Sequence, residues 1–508
     1  MPRFISQNFK FQCVLWLGLA TSGCIGTQGI APQMKALHAN DLDSGKAIAR
    51  AAKEANWPSF QWWRDFGDEQ LNQWLELALM DSPSLAAASA RVRQARAMAE
   101  IAESAESLHI DGNASIKRHH WPADPFYGPG DLSNNSTWDN SSSLGLSYPL
   151  DIWGLESSRT EQMLDSAHMS AAEARQAQLE LQNNVVKAYI QFSLNFAQLD
   201  IANEVLAQQT QILELAQRRL KGGIGTHFEI SQAQTPLSET HRQIDSLEEV
   251  IALNRNQLAM LAGKGPGAGA VLRRPVLSLQ QAIKLPAVLP SELIGHRPDV
   301  VASRWRVAAN ARGIDVAHAA FYPNVDLVGG IGYMASGGGM LEFIAGRKIN
   351  YNAGAAVSLP IFDGGRLRSE LGEASAGYDI AVSHYNQSLV HALKDISDQL
   401  IRRASMDRQQ VFVTESVASA KRTYDIALTA YSRGLTDYLN VLNAQTALFH
   451  QESIQQKVEA ERLTVHAALI VALGGGVASQ LDTPVEQQMT PRKPQAVLHA
   501  LDQLMSQP

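Results

Sequence analysis

Cysteine is almost absent. Two occur in 508 residues, Cys13 and Cys24, both near the start, so a disulfide-stapled core is excluded. Long apolar runs are missing as well. After the N-terminal leader no segment offers some 18 consecutive apolar residues, which rules out a transmembrane helix in the mature chain. Any membrane crossing must therefore be by strands. There is no large excess of basic charge: the net charge is −7 and 18% of residues are charged, which argues against a nucleic-acid-binding surface. Catalytic signatures are lacking too, with no G-x-S-x-G, no H-E-x-x-H and no P-loop. The many acidic residues fall on helical patterns, where they read as solvated faces. His119 and His120 are adjacent and have no third His or Cys nearby, and neighbours in sequence rarely converge on one ion. No enzyme activity, cofactor or metal is expected.

The start of the chain is informative. The apolar run FQCVLWLGLA follows Arg3 and Lys10 and ends in small residues, a secretory signal over 1–23 whose roughly ten apolar residues are too few to span a bilayer. The sequence TSGC resembles a bacterial lipobox, with Thr21 where Leu is usual. That resemblance implies that Cys24 becomes the first mature residue and carries acyl chains, palmitate among them.

The chain repeats itself. At one fixed offset Ser147, Pro149 and Gly154 fall on Ser358, Pro360 and Gly365, and Gly223, Ala233, Gln234 and Thr235 fall on Gly434, Ala444, Gln445 and Thr446. At a slightly larger offset Pro83, Ala87, Arg91, Val92, Ala102 and Ala105 fall on Pro298, Ala302, Arg306, Val307, Ala317 and Ala320. Three blocks in the same order make a tandem duplication of about 200 residues. Each copy reads helix, strand, polar loop, strand, long helix, tight turn, helix.

The strands are expected at 108–117, 140–150, 322–334 and 350–362. Leu144, Leu146, Tyr148 and Leu150 alternate with Ser143, Gly145 and Ser147, and Ala355, Val357, Leu359 and Ile361 alternate with Asn352, Gly354, Ala356 and Ser358. One apolar face, one wet face and about ten residues per strand fit a membrane β-barrel better than a soluble sheet, although a half-buried soluble sheet also alternates. The connecting loops, rich in Gly, Pro, Asn and Ser, suit the outer loops of a barrel.

After Gly154 nothing interrupts the helical pattern until Gly222, and after Gly365 nothing until Gly434. Each run is about 65 residues, or roughly 100 Å. Apolar seams at Val185, Tyr189, Phe192, Phe196 and Leu199, and at Val413, Val417, Ala420, Tyr424, Ala427 and Tyr431, call for partner helices. The return helices expected at 226–261 and 436–473 supply them across short turns. Four strands cannot close a barrel that needs at least about eight, so two or three chains must contribute.

WPSFQWWRDFGDEQL, HRPDVVASRWRVAANARGIDVAHAAFYPNVDL, SLPIFDGGRL and LGGG resemble the TolC-type outer-membrane factors, in particular the lipoprotein group with NodT-like and multidrug-efflux members. The resemblance implies a mixed fold of α and membrane β structure: a homotrimer with a twelve-stranded barrel in the outer membrane of a Gram-negative bacterium above an α-helical periplasmic tunnel. It further implies a passive conduit for small molecules, joined through a periplasmic adaptor to an inner-membrane pump. On this view the chain divides into the signal at 1–23, a lipidated N-terminal segment at 24–67, a first repeat at 68–262, an equatorial linker at 263–290, a second repeat at 291–476 and a polar tail at 477–508. By motif position the adaptor-contacting tips are Gly222, Gly223, Gly225 and Thr226 with Arg433, Gly434 and Thr436, and the periplasmic constriction is Leu439 and Asn443. Asn443 is neutral where many relatives have Asp, and Asp437 is expected to supply the acidic ring instead. The alternative is a lipid-tethered periplasmic coiled-coil scaffold or adaptor, which leaves the four alternating strands without a role.

Overall fold

The computed structural model describes residues 29–38, 41–43, 48, 58–123, 134–279, 296–336, 340–341 and 348–476. The signal, Cys24, much of the expected linker and the tail at 477–508 lie outside the described residues. In chain order the elements are α1 (Glu69–Asp81), α2 (Pro83–Ala105), β1 (His109–His120), β2 (Ser136–Leu150), α3 (Leu155–Lys221), α4 (His227–Leu261), α5 (Pro298–Ala319), β3 (Asn324–Ser336), β4 (Ile349–Ser358), α6 (Arg366–Ser432) and α7 (Tyr438–Ala472). Two short 3-10 helices, Trp62–Phe66 and Pro266–Val271, complete the set among the described residues. None of the described helices is long and apolar enough to cross a membrane.

Two compact units are formed, and they are not the two repeats. The first takes 1–43, 81–180 and 297–394; the second takes 44–80, 181–296 and 395–508. Each therefore draws matching pieces from both copies.

In the first unit the four strands pair in the order β1-β2-β3-β4, antiparallel throughout. The register sets Ile110 against Leu146, Leu144 against Ile331 and Ile331 against Tyr351, so the apolar positions of all four strands share one face. The opposite face carries Asp111, Asn113, Ser143, Gly145, Gly330 and Asn352. Strand limits differ from expectation at the loop end of the first pair and at the junctions of the second. β1 continues to His120 and β2 begins at Ser136, so His119 and His120 lie on opposite faces of a strand end instead of in a loop. The Asn- and Ser-rich start of β2 has no alternation to read, and cross-strand pairing supplies the order. β3 starts at Asn324, after Pro323, which has no N–H to donate. Consequently β4 runs out of partner at Ser358, and Leu359 and Ile361 fall beyond it.

Each descending strand leads into a capped helix. Asp151 accepts from the amides of Glu156 (3.1 Å) and Ser157 (2.9 Å) at the start of α3. Asp363 does the same for Gly365 (3.0 Å) and Leu367 (2.8 Å) at the start of α6. α5 is fixed to α3 by the pairs Arg306–Glu173 (3.0 Å) and Arg312–Glu161 (2.8 Å), and by His168 stacked on Trp305 at 4.4 Å. Near the N-terminus an extended stretch lies on α6: Asp379 accepts from the amides of Gln33 and Met34, and Asn386 bonds Leu37 N and Lys35 O.

The second unit is organised around Asp68, only 8% exposed. Its carboxylate caps α1 through Gln70 N (2.8 Å) and Leu71 N (3.2 Å), and also accepts from Tyr189 Oη on α3 (3.1 Å) and Val276 N (2.8 Å). Burial pushes the Tyr189 hydroxyl well above its ordinary pKa, so it stays a donor. Around this network Trp62, Trp63, Phe66, Leu71, Leu75, Phe192 and Leu258 are fully buried. Trp62 Nε1 donates to Gln182 and Trp74 Nε1 to Leu258 O.

His466 on α7 sits edge-on to Phe66 at 5.6 Å, and its Nε2 is buried with no hydrogen-bond partner among the described residues. Burial, with a smaller contribution from the Arg403 charge, pulls its pKa down from 6.5 to about 4. The folded state thus resists protonation while the unfolded state does not. Stability is whole above the unfolded value of 6.5 and drains away as pH falls toward about 4, by on the order of 3 kcal/mol in the limit. Thermal melts followed by tryptophan fluorescence should show wild type losing more stability than His466→Leu between neutral pH and pH about 4.5. Parallel pH profiles for the two proteins would refute this role of His466.

Candidate functional site

Two exposed surfaces stand out among the described residues, one in each unit. On the sheet, Ile110, Ile116, Leu144, Leu146, Leu327, Ile331, Tyr351 and Val357 are all exposed and all on one face. The stripe has aromatic ends. At one end Arg118 lies over the Trp138 ring at 5.7 Å; at the other Trp153 stacks on Tyr322 at 4.7 Å and donates from Nε1 to Pro323 O (3.0 Å). From Trp138 to Tyr148, a run of about ten residues gives roughly 33 Å of strand, or about 25 Å along the normal once tilted, the height of a lipid-facing band. The two outer edges, of β1 and β4, have no strand partner among the described residues.

The second surface is formed by the turns α3–α4 and α6–α7. Both close in the same way. Ile224 N bonds Arg219 O and Gly223 N bonds Leu220 O, and in the other copy Leu435 N bonds Ala430 O and Gly434 N bonds Tyr431 O. These double closures need a left-handed residue, and Gly223 (φ 74°) and Gly434 (φ 76°) supply it. Gly225 is required for a different reason: a Cβ there would stand 2.7 Å from Leu220 N. Thr226 caps α4 by accepting from Glu229 N (3.2 Å), and Asp437 caps α7 by accepting from Asn440 N (3.2 Å) and Nδ2 (3.0 Å). Thr436 Oγ1 accepts from the same Asn440 side chain at 2.8 Å. Gly222 and Arg433 are exposed at the ends of the long helices.

Among the expected constriction residues, Leu439 is 50% exposed and Asn443 is also exposed, one turn further along α7. Tyr438, Val441, Ala444 and Leu448 on the other side of α7 are buried. Leu439 is therefore not seam packing within the chain. Asp437 is exposed, and its carboxylate is engaged at the helix start.

A cluster that no sequence pattern announces ties the two turns together. Arg219 donates from Nη1 to Tyr431 O (3.0 Å), covers the Tyr431 ring at 4.6 Å and approaches Glu229 at 4.0 Å. Tyr438 follows Tyr431 at 6.1 Å, and both belong to a core with Ile212, Ala233, Tyr424 and Leu448. Burial raises the pKa of both phenols; the Glu229 charge adds to the effect at Tyr431, and the neighbouring tyrosines add to it at Tyr438. Tyr431 is visible in the sequence as a seam position, and the Thr-x-x-Glu pattern at 226–229 hints at a structured helix start. Nothing local points to Arg219, whose partners lie more than two hundred residues away or across a turn.

Comparison with known proteins places the chain in a family. A family model described as outer membrane efflux protein matches the chain twice, at 74–264 and 289–475. Fusaric acid resistance protein FusA of Burkholderia cepacia is 43% identical over 483 residues, covering 93% of this chain and 89% of that protein. Pyoverdine export outer membrane protein OpmQ of Pseudomonas aeruginosa is 30% identical over 418 residues, covering 82% of this chain and 87% of that protein. The crystal structure of the outer membrane protein VceC of Vibrio cholerae superposes with a TM-score of 0.77 at 30% identity, covering 83% of this chain and the whole of that one. The paired strands, the doubled helical hairpins and these likenesses have one meaning: the chain belongs to the outer membrane efflux protein family, the TolC-type channels.

Proposed function

We propose that three copies of this chain close a twelve-stranded barrel in the outer membrane, continued by a periplasmic helical tunnel, and that the assembly is a passive conduit coupled through an adaptor to an inner-membrane pump. The observation that carries the proposal is a four-stranded sheet with one apolar face and two edges that have no strand partner among the described residues. Such edges are not tolerated in hydrocarbon, and one chain has too few strands to close on itself. The count of three follows the resemblance to TolC-type channels. Cys24 carries the lipid that holds the N-terminus at the membrane; TSGC supports this assignment. The cargo is a small toxic organic compound, and the 43% identity to a fusaric acid resistance protein supports fusaric acid itself as the first to try.

The tips Gly222, Gly223, Gly225 and Thr226 with Arg433, Gly434 and Thr436 form the adaptor-facing mouth, and Leu439 and Asn443, with Asp437 at their rim, narrow it. Exposure of Leu439 and Asn443 on one side of α7 supports this assignment. Arg219 holds the α3–α4 and α6–α7 hairpins of one chain together behind the mouth.

Deleting the gene should sensitise its host to fusaric acid, the full chain should restore resistance, and the detergent-extracted particle should have a protein mass of three chains. A monomeric or soluble particle, or unrestored resistance, would leave the tethered coiled-coil scaffold as the better account. Asp437→Ser with Leu439→Ser keeps a capping hydroxyl at the start of α7 while removing bulk and charge, and single-channel conductance in planar bilayers should rise. Unchanged conductance removes both residues from the constriction. Arg219→Ala should weaken the link between hairpins by on the order of 2 kcal/mol. Amide exchange should accelerate at 222–230 and 431–441 while the strands keep their protection; uniform protection across the tips would show that Arg219 is dispensable.

A further inference from the structure

Two features of the first unit are complementary. One is the extended segment laid on α6. Asp379 accepts from the amides of Gln33 (2.9 Å) and Met34 (2.8 Å); about two turns further along α6, Asn386 accepts from Leu37 N (2.8 Å) and donates to Lys35 O (3.0 Å). Every one of these bonds is to backbone, so the pair acts as a clamp that fixes the path of the segment without reading its side chains. The path has a direction. Asp379 holds the earlier residues and Asn386 the later ones, so toward its N-terminal end the segment heads for the start of α6 at Arg366. At the offset that aligns Ser147 with Ser358, α3 carries His168 and Arg175 in these places, so the Asp and Asn of the clamp occur in the second copy alone.

The other feature is a hollow of about 140 Å³ where the strands give way to helices, lined by Leu150, Ile152, Trp153, Leu155, Tyr322 and Pro360. Its walls are fixed: the Trp153 indole stacks on Tyr322 and donates to Pro323 O, and Asp151 at its edge is taken up by the start of α3. Its mouth is open, with Ile152 59%, Trp153 49% and Tyr322 51% exposed. A rigid apolar hollow beside a Trp and a Tyr, at the end of the apolar stripe of the sheet, suits a hydrocarbon chain at a bilayer surface.

The two features are within reach of each other. Ser358 and Pro360 border the hollow, and the same strand exit leads into α6 at Arg366. Asp379 stands 13 residues after Arg366, about 20 Å along the helix. Gln33 stands nine residues after Cys24, which cover about 30 Å when extended. The clamped segment thus has both the direction and the length to bring Cys24 to the level of the hollow.

We infer that the hollow beside Trp153 and Tyr322 seats part of an acyl chain borne by Cys24 of the same chain, with Asp379 and Asn386 holding the tether on course. This rests on the lipidation of Cys24 proposed above and adds where the lipid sits. Bilayer tails are as apolar as this one, so close packing against fixed walls and the short reach of the tether decide which chain fills the hollow.

The test feeds cells expressing the full-length protein a fatty acid with a mid-chain diazirine, irradiates them, and maps adducts in the purified particle by digestion and mass spectrometry. An acylated Cys24 peptide joined to residues 150–155, 322–323 or 360 is expected. Ile152→Glu puts a charge in the mouth of the hollow at an exposed position, and D379A/N386A frees the tether. Each should lower that adduct at least about fivefold while the particle keeps its wild-type mass. Adducts at these positions from lipid not attached to Cys24 would assign the hollow to the bilayer and overturn the inference. So would a Cys24 lipid that reacts only with other lipids, or an adduct indifferent to both variants. An unacylated Cys24, read from the mass of the same peptide, rejects the lipid anchor itself and the inference with it.

Discussion

The backbone of an open sheet cannot end in lipid. β1 and β4 each turn a row of N–H and C=O groups outward with no strand partner among the described residues, and each such group left bare in hydrocarbon costs several kcal/mol. Everything else in the first unit is consistent with that edge being closed by another copy. The apolar stripe is continuous across all four strands, so a neighbour added in register extends it without a seam. The opposite face is small and polar, with Gly145, Gly330 and Asn352 near its middle, so a closed ring keeps a wet interior.

The two long helices are weakly amphipathic along their whole length. α3 and α6 are both 67 residues, about 100 Å of helix each. Their starts are set by Asp151 and Asp363 and their ends by Gly223 and Gly434, so length is fixed by caps at both limits. Between the caps, the seam of Tyr189, Phe192, Tyr424 and Tyr431 buries large rings at heptad-like spacing, and the remaining faces are left to solvent or to other copies.

Much of this architecture is legible in the sequence. Helix limits can be read to within a residue or two because glycine and proline punctuate them and the mechanism is local. Strand faces follow from alternation, and the register aligns them as expected. What is not legible is long-range. The start of β2 lies in a Ser- and Asn-rich stretch with no periodicity, and only its pairing with β1 shows it as strand. The end of β4 is decided by Pro323 in another strand's approach. Asp68 and Arg219 each gather partners from distant parts of the chain, and no spacing rule anticipates such meetings. The division into compact units is hidden for the same reason: duplication is a property of sequence, whereas compactness follows contacts, and the contacts join the two copies.

The two copies have also diverged in a way that orders their roles. Ala233-Gln234-Thr235 and Ala444-Gln445-Thr446 are equivalent in sequence, yet Gln234 is exposed and Gln445 is 1% exposed. α7 buries Tyr438, Val441, Ala444, Gln445 and Leu448 within its first turns, whereas α4 buries only Ala233 over the same stretch until Thr240. One hairpin thus packs as a support and the other keeps most of its surface free. Arg219 reaches from the freer hairpin to the Tyr431 carbonyl of the supported one, so a single side chain joins elements that duplication made alike and burial made different.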